Sequence, residues 1–521
     1  MRHPALLLAI VWVALLVLAS LRRRAELGDP SGPRGLMFAA SIAVIVSYCA
    51  IVVWYTFKAS YFDAAEPTIT AVAAAFASGQ PLYPALDAPE RYAHIYGPVL
   101  FIVHAAAFAV AGASIFASKT VGAVAALSSL GLTYVVYSRR AGVLAACNVT
   151  AASALVYLYF NNATFWTRSD PLLILSTSIG LAGALSRRRF AAAIVLGLAT
   201  GAAINLKVTG AIYLIPVFAI ALSKHGVRVV AAAAVLAVVA AAAPFLLPQI
   251  SFSHYLDYLR LSARNGLLES TLLENTEWGL FLLTPLLVTW WGIRNTRLER
   301  ESRPVLAGLT CAVGVIAIVS AKPGGGSFHF LPFVPILGYA VLTAPRGTWN
   351  RSSPTRLAAA FVIAATAIAV PRQLVFIRTV SGRHLERAIA DVRQFADETP
   401  SKRTAVGYAG TSYLSHVRPE LVFRTGDYLI DAPAVQEHRL SGLEIPAATI
   451  RAIDDCRFDY WLLPVDAQPF DVPSAYQPLG PESVFSAQFR LAFLRRYVRV
   501  NRTALFDVWE CRRQTTGGAA K

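Results

Sequence analysis

Residues 61–67 have the sequence Tyr-Phe-Asp-Ala-Ala-Glu-Pro, and the polar stretch that they open ends with Ile-Tyr-Gly-Pro at 95–98. Long apolar segments flank this stretch on both sides. Its four carboxylates are Asp63, Glu66, Asp87 and Glu90. Carboxylates so close to apolar segments are costly inside a bilayer and usually serve a function. The stretch therefore predicts a polar loop that interrupts a membrane domain.

The composition agrees with that interpretation. Of the 521 residues, 56% are hydrophobic and 15% are charged, whereas soluble proteins carry about 25% charged residues. Long apolar runs recur until about residue 370 and then stop. We therefore predict a polytopic α-helical membrane domain over 1–371, with a first outer loop at 58–117, and a soluble α/β domain over 372–521.

Hydropathy predicts about twelve membrane spans. They are 4–21, 36–57, 118–138, 142–160, 171–186, 190–205, 208–223, 228–247, 278–293, 304–321, 330–345 and 357–371. The apolar segment 99–116 is left out, because a crossing there would put every later basic loop on the opposite side. We interpret it as a juxtamembrane helix of the first outer loop. The alternative is a missed or additional crossing elsewhere.

The net charge of +17 is concentrated in short loops. The loops on one side of the predicted spans hold 18 basic residues and four acidic ones. Loops rich in Arg and Lys stay cytoplasmic, so the acid-bearing loops and the C-terminal domain face outward. This topological cause argues against nucleic-acid binding. The abundance of Ala and Arg favours a bacterial inner membrane, with the outer face in the periplasm. The alternative is a eukaryotic protein whose outer face is the lumen of the endoplasmic reticulum, since Asn148, Asn162 and Asn501 begin N-x-Ser/Thr patterns.

The five cysteines fall into two groups. Cys49, Cys147 and Cys311 lie in apolar segments, where a thiol packs like a small hydrophobic side chain. Cys456 and Cys511 lie in the C-terminal domain, on the predicted outer side, and are a candidate disulfide pair.

Periodicity predicts the main elements of the C-terminal domain. Helical spacing at 383–398 is followed by strands at 404–408, 460–464, 497–500 and 505–509. Neither a glycine fingerprint for nucleotides nor a metal-ligand spacing is evident in its sequence.

Asp63 and Glu66 are the candidate catalytic residues. Three residues apart, they share one face of a helix. Such a pair can take a proton from an attacking hydroxyl or bind a divalent cation through its oxygens. The alternative is a solvated helix start, because acids and proline both favour the first turn. No cofactor is indicated beyond that optional cation.

The order of motifs resembles the GT-C membrane glycosyltransferases, in particular the protein mannosyltransferase and lipid A aminoarabinose transferase group. Glu66 precedes Gly79-Gln80-Pro81-Leu82-Tyr83 by thirteen residues, as an acid precedes a Gly/Pro/Tyr turn in that family. The resemblance continues at Arg168-Ser169-Asp170, at Lys207 and at Phe328-His329-Phe330-Leu331-Pro332. The family often has an Asp-Glu pair, whereas Ala65 precedes Glu66 here. Either Glu66, which the spacing to Gly79 favours, or Asp63 is thus the base.

The resemblance implies a polyprenyl-phosphate sugar donor, whose anionic leaving group needs fixed positive charge. The candidate phosphate-binding residues are Arg168, Lys207, Lys322 and His329. Each has a simpler alternative. Arg168 could pair with Asp170, the two lysines could extend to lipid headgroups, and His329 could be an interfacial polar residue. The candidate sugar- or acceptor-binding residues are Asp170, Tyr83, Tyr96 and Arg264, although interfacial belts also contain tyrosine.

The sequence therefore predicts an enzyme that transfers a sugar from a lipid-linked donor to a hydroxyl of a lipid, glycan or protein acceptor on the outer face. The alternative from another class is a transporter or flippase of cell-envelope precursors. That function favours ionisable residues at mid-membrane, whereas the predicted spans have theirs near the ends. A third alternative is an assembly protein whose loops bind partners.

Overall fold

The computed structural model describes residues 32–292, 302–343, 353–410, 413–465, 467–474 and 482–512. These residues form two compact units. The first unit contains 32–57, 122–244 and 267–378, and the second contains 58–121, 245–266 and 379–512, each within the described ranges. The predicted span at 4–21 lies outside the described residues.

The described chain is mostly helical. Its α-helices, in chain order, are α1 (Gly32–Thr56), α2 (Ala65–Ala77), α3 (Pro98–Ala111), α4 (Ile115–Ala141), α5 (Val143–Tyr159), α6 (Asp170–Ala184), α7 (Arg189–Leu206), α8 (Gly210–His225), α9 (Val227–Ala242), α10 (Phe252–Ser262), α11 (Glu269–Gly292), α12 (Ser302–Val319), α13 (Val334–Thr343), α14 (Ser353–Ser381), α15 (Leu385–Glu398), α16 (Pro419–Thr425), α17 (Ala432–Leu440), α18 (Ala447–Asp454) and α19 (Ala487–Arg496). Short 3₁₀ helices cover Ala243–Leu246, Ala263–Asn265, Ser327–Phe333 and Tyr413–Val417.

Every predicted span from 36–57 onward coincides with a helix. By length and composition, four helical segments of the described chain can cross a membrane. They are Met37–Thr56, Ile115–Ala141, Arg189–Leu206 and Val227–Leu246. These four segments make the protein a multi-pass integral membrane protein. The other apolar helices among the described residues are shorter, so the number of twelve spans stays a prediction. Two boundaries differ clearly: α11 begins at Glu269 and not near 278, and α14 ends at Ser381 and not near 371.

Small residues let α7 and α9 of the first unit approach closely. A Cβ atom placed on Gly197 would lie 2.8 Å from the Ala233 carbonyl oxygen, and one on Gly201 would lie 2.8 Å from that of Ala237. Bulkier side chains would separate the two backbones. Small residues facing each other are the usual packing device between apolar helices in membranes.

The second unit contains α2, α3 and α10, together with the C-terminal residues that follow α14. Helix α3 accounts for most of the segment predicted as a juxtamembrane helix, and its position relative to a bilayer stays a prediction. Gly79 follows α2 with a φ of 94°, a left-handed conformation that favours glycine. The glycine of the predicted turn is thus required by the backbone.

A small mixed sheet forms the centre of the C-terminal residues. Its strands are β1 (Thr404–Val406), β2 (Tyr460–Pro464), β3 (Tyr497–Arg502) and β4 (Phe506–Cys511), in the spatial order β1-β2-β4-β3. Strands β1 and β2 are parallel, while β4 is antiparallel to both of its neighbours. All four predicted strands are confirmed, as is the predicted helix at 383–398, which is α15.

Helix α15 shows why periodicity succeeded here. Its four predicted apolar residues are buried in one core with strand residues of the sheet: Leu385, Ile389, Val392 and Phe395. Cys456 and Cys511 form a disulfide whose Cα atoms lie 5.8 Å apart. Helix α14 runs across the predicted domain boundary between 371 and 372. The assignment of the two sequence domains to catalytic and extracytoplasmic roles stays a prediction.

Candidate active site

Both candidate bases lie in the second unit, and their surroundings differ. Glu66 is in the first turn of α2, whereas Asp63 precedes the helix by two residues, so the two do not share a helical face as predicted. Glu66 is completely buried. Its Oε1 accepts hydrogen bonds from the backbone N–H groups of Phe62 and Asp63, each at 3.2 Å. Asp63 is only partly buried, and its Oδ1 accepts a hydrogen bond from the N–H of Ala65 at 2.8 Å. Glu66 therefore stabilises the first turn of α2, while Asp63 is the more accessible carboxylate.

Arg168 and Asp170 lie in the first unit, where an indole connects them. The Trp166 Nε1 donates a hydrogen bond to Oδ2 of Asp170 at 3.1 Å. The Arg168 guanidinium stacks over the same indole, 4.1 Å from the ring centroid, and lies 5.2 Å from that of Phe328. Cation–π contacts of this kind hold a guanidinium in place while its N–H groups can still donate. Asp170 is the first residue of α6 and is buried.

Lys207 joins the same group of side chains. It follows the last residue of α7 in an extended conformation, which directs the chain into the hairpin toward α8. Its Nζ lies 3.6 Å from Oδ1 of Asp170 and 3.2 Å from Nδ1 of His329. An ammonium group only donates hydrogen bonds, so the nearer ring nitrogen of His329 accepts and the imidazole is neutral.

We call Arg168, Asp170, Lys207 and His329, with the rings of Trp166 and Phe328, the cationic cluster. The structure brings together these four predicted residues from three distant parts of the sequence. Two fixed cations face one carboxylate, so the cluster carries one positive charge in excess. Such an arrangement suits a phosphate group, whose charged oxygens accept strong hydrogen bonds from arginine and lysine side chains.

Two further predicted residues, Lys322 and Arg264, are not members of the cationic cluster. Lys322 is half-buried in the first unit, where its carbonyl oxygen accepts a hydrogen bond from the Gly325 N–H at 2.8 Å. Arg264 is exposed in the second unit. Among the described residues, no group of three or more His, Cys, Asp or Glu side chains has a geometry that could hold a metal ion.

Tyr83 and Tyr96 are both buried in the second unit. The Tyr83 hydroxyl donates a hydrogen bond to the Tyr96 carbonyl oxygen at 2.7 Å. The Tyr83 ring also packs on Tyr255 of α10, with 4.9 Å between the ring centroids. The two predicted tyrosines thus belong to an aromatic group that α10 completes.

A buried charge network in the second unit is centred on Asp431, which is inaccessible to solvent. Its Oδ2 accepts hydrogen bonds from Arg418 Nε at 3.1 Å and from the hydroxyl groups of Thr68, Tyr408 and Tyr428. Its Oδ1 caps α17 by accepting from the Ala434 N–H. Although burial opposes ionisation, the Arg418 charge, the nearby His94 and the Tyr428 hydroxyl together lower the pKa of Asp431. We call this set the Asp431 network.

His94 extends the Asp431 network. Its Nε2 lies 3.6 Å from Oδ1 of Asp431, and its Nδ1 lies 3.1 Å from Oε2 of Glu437. Burial alone would lower the pKa of His94, but the two carboxylates raise it from 6.5 to about 9. His94 is therefore charged at neutral pH.

This charge predicts a pH-dependent stability. The folded pKa of His94 exceeds its unfolded value, so its contribution is complete below pH 6.5 and is lost as pH rises through about 9. We expect a loss on the order of 3 kcal/mol across that window, modulated by the Arg91 and His438 side chains nearby. Thermal unfolding of the protein and of His94→Gln between pH 6 and 10 would measure it. An equal pH dependence in both proteins would contradict this assignment.

Sequence reasoning missed His94, Arg418 and Asp431. Asp431 precedes Ala-Pro and has the pattern of an ordinary helix N-cap. It does cap α17, but it also accepts the hydrogen bonds of the network. From the sequence, Arg91 is a residue either of the loop surface or of acceptor contacts, whereas in the structure its side chain is 1% exposed. No local pattern indicated the burial of these residues, because several of their partners are hundreds of residues away in the sequence.

No protein-family model matches the sequence, and no curated protein matches it. Solved structures do match. The crystal structure of ArnT from Cupriavidus metallidurans bound to undecaprenyl phosphate aligns with a TM-score of 0.52 at 14% identity, over 90% of this chain and 97% of that one. The apo structure of the same protein gives a TM-score of 0.53 over the same shares. An oligosaccharyltransferase from Archaeoglobus fulgidus gives a weaker match, with a TM-score of 0.44 at 11% identity, over 81% of this chain and 68% of that one.

The two ArnT alignments extend over nearly the whole of both chains. The chain therefore has the GT-C-like fold of an integral membrane protein, as the motif order predicted. At 14% identity these alignments show the fold alone.

Proposed function

We propose that this protein is a membrane glycosyltransferase that transfers a sugar from a polyprenyl-phosphate-linked donor to an acceptor hydroxyl on the outer face of the membrane. The observation that carries the proposal is the cationic cluster of the first unit within a GT-C-like fold. The ArnT structure with this fold has undecaprenyl phosphate bound, and a cluster with one excess positive charge suits the same kind of ligand.

In this mechanism Arg168 and Lys207 bind the donor phosphate and stabilise the charge that develops as the glycosidic bond breaks. Fixed cations in a partly dehydrated site stabilise a leaving phosphate strongly, since they need no reorganisation during the reaction. Asp170 holds Lys207 in position, and Phe328 packs near both cations. The neutral His329 adds a hydrogen-bonding group without adding charge.

We assign the general base to Asp63 and a positioning role to Glu66. A base has to reach the acceptor hydroxyl, and Asp63 is the more accessible of the two. Glu66 is fully buried, and its Oε1 is occupied by the Phe62 and Asp63 N–H groups. This reverses the preference that the spacing to Gly79 had given to Glu66. Attack by the activated hydroxyl would invert the anomeric configuration, as the family resemblance implies.

Asp63→Asn should reduce kcat by about 10²–10⁴-fold without lowering the thermal stability, because the amide keeps the hydrogen bond from the Ala65 N–H. Glu66→Gln should instead lower the stability, with a smaller direct effect on transfer. The measurement is transfer of radiolabelled sugar from polyprenyl-phosphate donors in membranes, together with unfolding of the purified proteins.

The matched control is Asp257→Asn, which alters a half-exposed aspartate of α10 that pairs with Arg260. It should change neither quantity. Full transfer by Asp63→Asn would exclude this residue as the base, and full transfer by both loop variants would exclude the mechanism.

A further inference from the structure

A second group of polar side chains in the second unit has no role in the proposed donor site. Arg91 comes from the first outer loop, Tyr258 from α10 and His438 from α17, and all three are at most 3% exposed. His94 and Glu437 lie beside them. We call these five residues the polar cluster. The Glu437 side chain is 20% exposed, so the cluster reaches the protein surface there.

Several of its polar atoms have no hydrogen-bond partner within the described residues. The Ala93 backbone lies near the His438 ring, but neither ring nitrogen makes a hydrogen bond of ordinary geometry with any described group. The Arg91 guanidinium interacts with the Tyr258 hydroxyl, and its Nη2 donates a hydrogen bond to the Leu86 carbonyl oxygen. In the described part of the chain, however, neither that hydroxyl nor Nε and Nη1 of Arg91 make a hydrogen bond of ordinary geometry. More than nine in ten buried polar groups of folded proteins are paired. Three such side chains at one place indicate a ligand.

The chemistry of the polar cluster selects the kind of ligand. Arg91 offers donors, Glu437 offers acceptors, and the neutral His438 offers one of each. The pKa of His438 is lowered to about 3 by burial and by the Arg91 and His94 charges, so this ring stays neutral. A hydroxyl group is both donor and acceptor, and it fits such a mixed lining better than an acceptor-only anion does.

Charge and ring faces support the same choice. The positive charges of Arg91 and His94 are opposed by Glu437 and by Asp87 and Glu90, which act on Arg91. A phosphate bound here would be repelled by these carboxylates. The Tyr258 and His438 rings are inclined by 35° with 5.3 Å between their centroids, and together they present apolar ring surface beside the polar atoms. Ring surface next to hydrogen-bonding groups is the usual lining of a small-molecule site.

We propose that the polar cluster binds the hydroxyl groups of a neutral sugar, through Arg91, Tyr258, Glu437 and His438. The proposal deepens the proposed transferase function by naming its substrate class, and it rests on that function for the sugar's biological role. It does not require transfer to be observed, because sugar binding can be measured alone.

The test is saturation-transfer NMR on the purified full-length protein with methyl glycosides of mannose, glucose and arabinose, each with and without inorganic phosphate. We expect binding of at least one glycoside that phosphate does not displace. Arg91→Met and Tyr258→Phe should each weaken it about tenfold, as expected for the loss of a good hydrogen bond. Tyr258→Phe removes a hydroxyl that makes no hydrogen bond of ordinary geometry with the described residues, so its thermal unfolding temperature should stay the same or rise. Arg91→Met also removes the hydrogen bond from Nη2 to the Leu86 carbonyl oxygen and should lower that temperature slightly.

The control variant is Thr404→Val, which removes another buried hydroxyl that has no partner among the described residues. It should leave sugar binding unchanged. If Arg91→Met fails to fold, Tyr258→Phe decides, since it removes one oxygen atom. The proposal is overturned if no glycoside binds, if phosphate displaces the glycoside, or if both variants bind as the wild type does.

The two proposals fail separately. Sugar binding that depends on the polar cluster in a protein without transferase activity would leave this inference intact and remove the proposed function. If both Arg91→Met and Tyr258→Phe keep normal transfer activity, the proposed function stands and the polar cluster is not a sugar site of that reaction.

Discussion

Replacing Lys207 with methionine should lower kcat/KM for sugar transfer by about 10²–10³-fold, the cost of removing one fixed group that stabilises developing charge. Methionine keeps most of the aliphatic stem and removes the ammonium group that lies 3.6 Å from Asp170 and 3.2 Å from His329. The cationic cluster then loses its excess positive charge, and the donor phosphate has only Arg168 as a cation. Transfer from radiolabelled polyprenyl-phosphate sugars measures the effect.

Two variants separate the loss of charge from a loss of folding. Lys207→Met also leaves the buried Asp170 without its cation, which destabilises a protein by itself. In the double variant Lys207→Met with Asp170→Asn, stability should recover whereas transfer should not. Lys224→Met, which alters an exposed lysine of the same unit, should keep normal activity. Wild-type transfer by the double variant would show that the cluster has no part in catalysis.

Replacing Asp431 with asparagine should cost about 3–5 kcal/mol, as expected when one partner of a buried ion pair is removed. For a unit of this size, that corresponds to an unfolding midpoint lower by roughly 6–20 °C. The reason is that Arg418 loses its buried counter-charge and His94 loses one of its two carboxylate partners. The hydroxyl groups of Thr68, Tyr408 and Tyr428 also lose an ionised acceptor. Calorimetry or intrinsic fluorescence of the purified protein gives the midpoint.

The matched comparison is Asp397→Asn. Asp397 pairs with Arg424 in the same unit, but its side chain is 68% exposed, and such surface pairs contribute about 0–1 kcal/mol. Adding Arg418→Gln to Asp431→Asn should cost less than the sum of the single changes, because the two side chains interact directly. Equal midpoints for Asp431→Asn and Asp397→Asn would contradict the buried network.

Much of the fold was predictable because its determinants are local. Apolar length marked the spans, a period of 3.6 residues marked α15, and alternation marked the strands. The disulfide between Cys456 and Cys511 was predictable because both cysteines lie in the C-terminal domain. Arg168, Asp170, Lys207 and His329 could be named because the order of motifs resembles the GT-C glycosyltransferases.

What could not be predicted depends on pairing across the sequence. Thr68 and Arg418 hydrogen-bond across 350 residues, and no local pattern records that they meet. The choice between Asp63 and Glu66 had the same difficulty. Their spacing predicted one shared helical face. Only the folded chain shows that Glu66 is buried and accepts hydrogen bonds from two backbone N–H groups, whereas Asp63 is partly exposed.

The second unit has a consequence for the order in which the chain is made. It is assembled from an early segment at 58–121, a middle segment at 245–266 and a late one after residue 378. At about 5–20 residues per second of synthesis, the partner of Thr68 emerges roughly 20–70 seconds after Thr68 itself. During that interval Thr68, Arg91 and His94 of the early segment are in place without the late residues that pair with them. The early segment is therefore exposed to misfolding and to proteases until synthesis is complete.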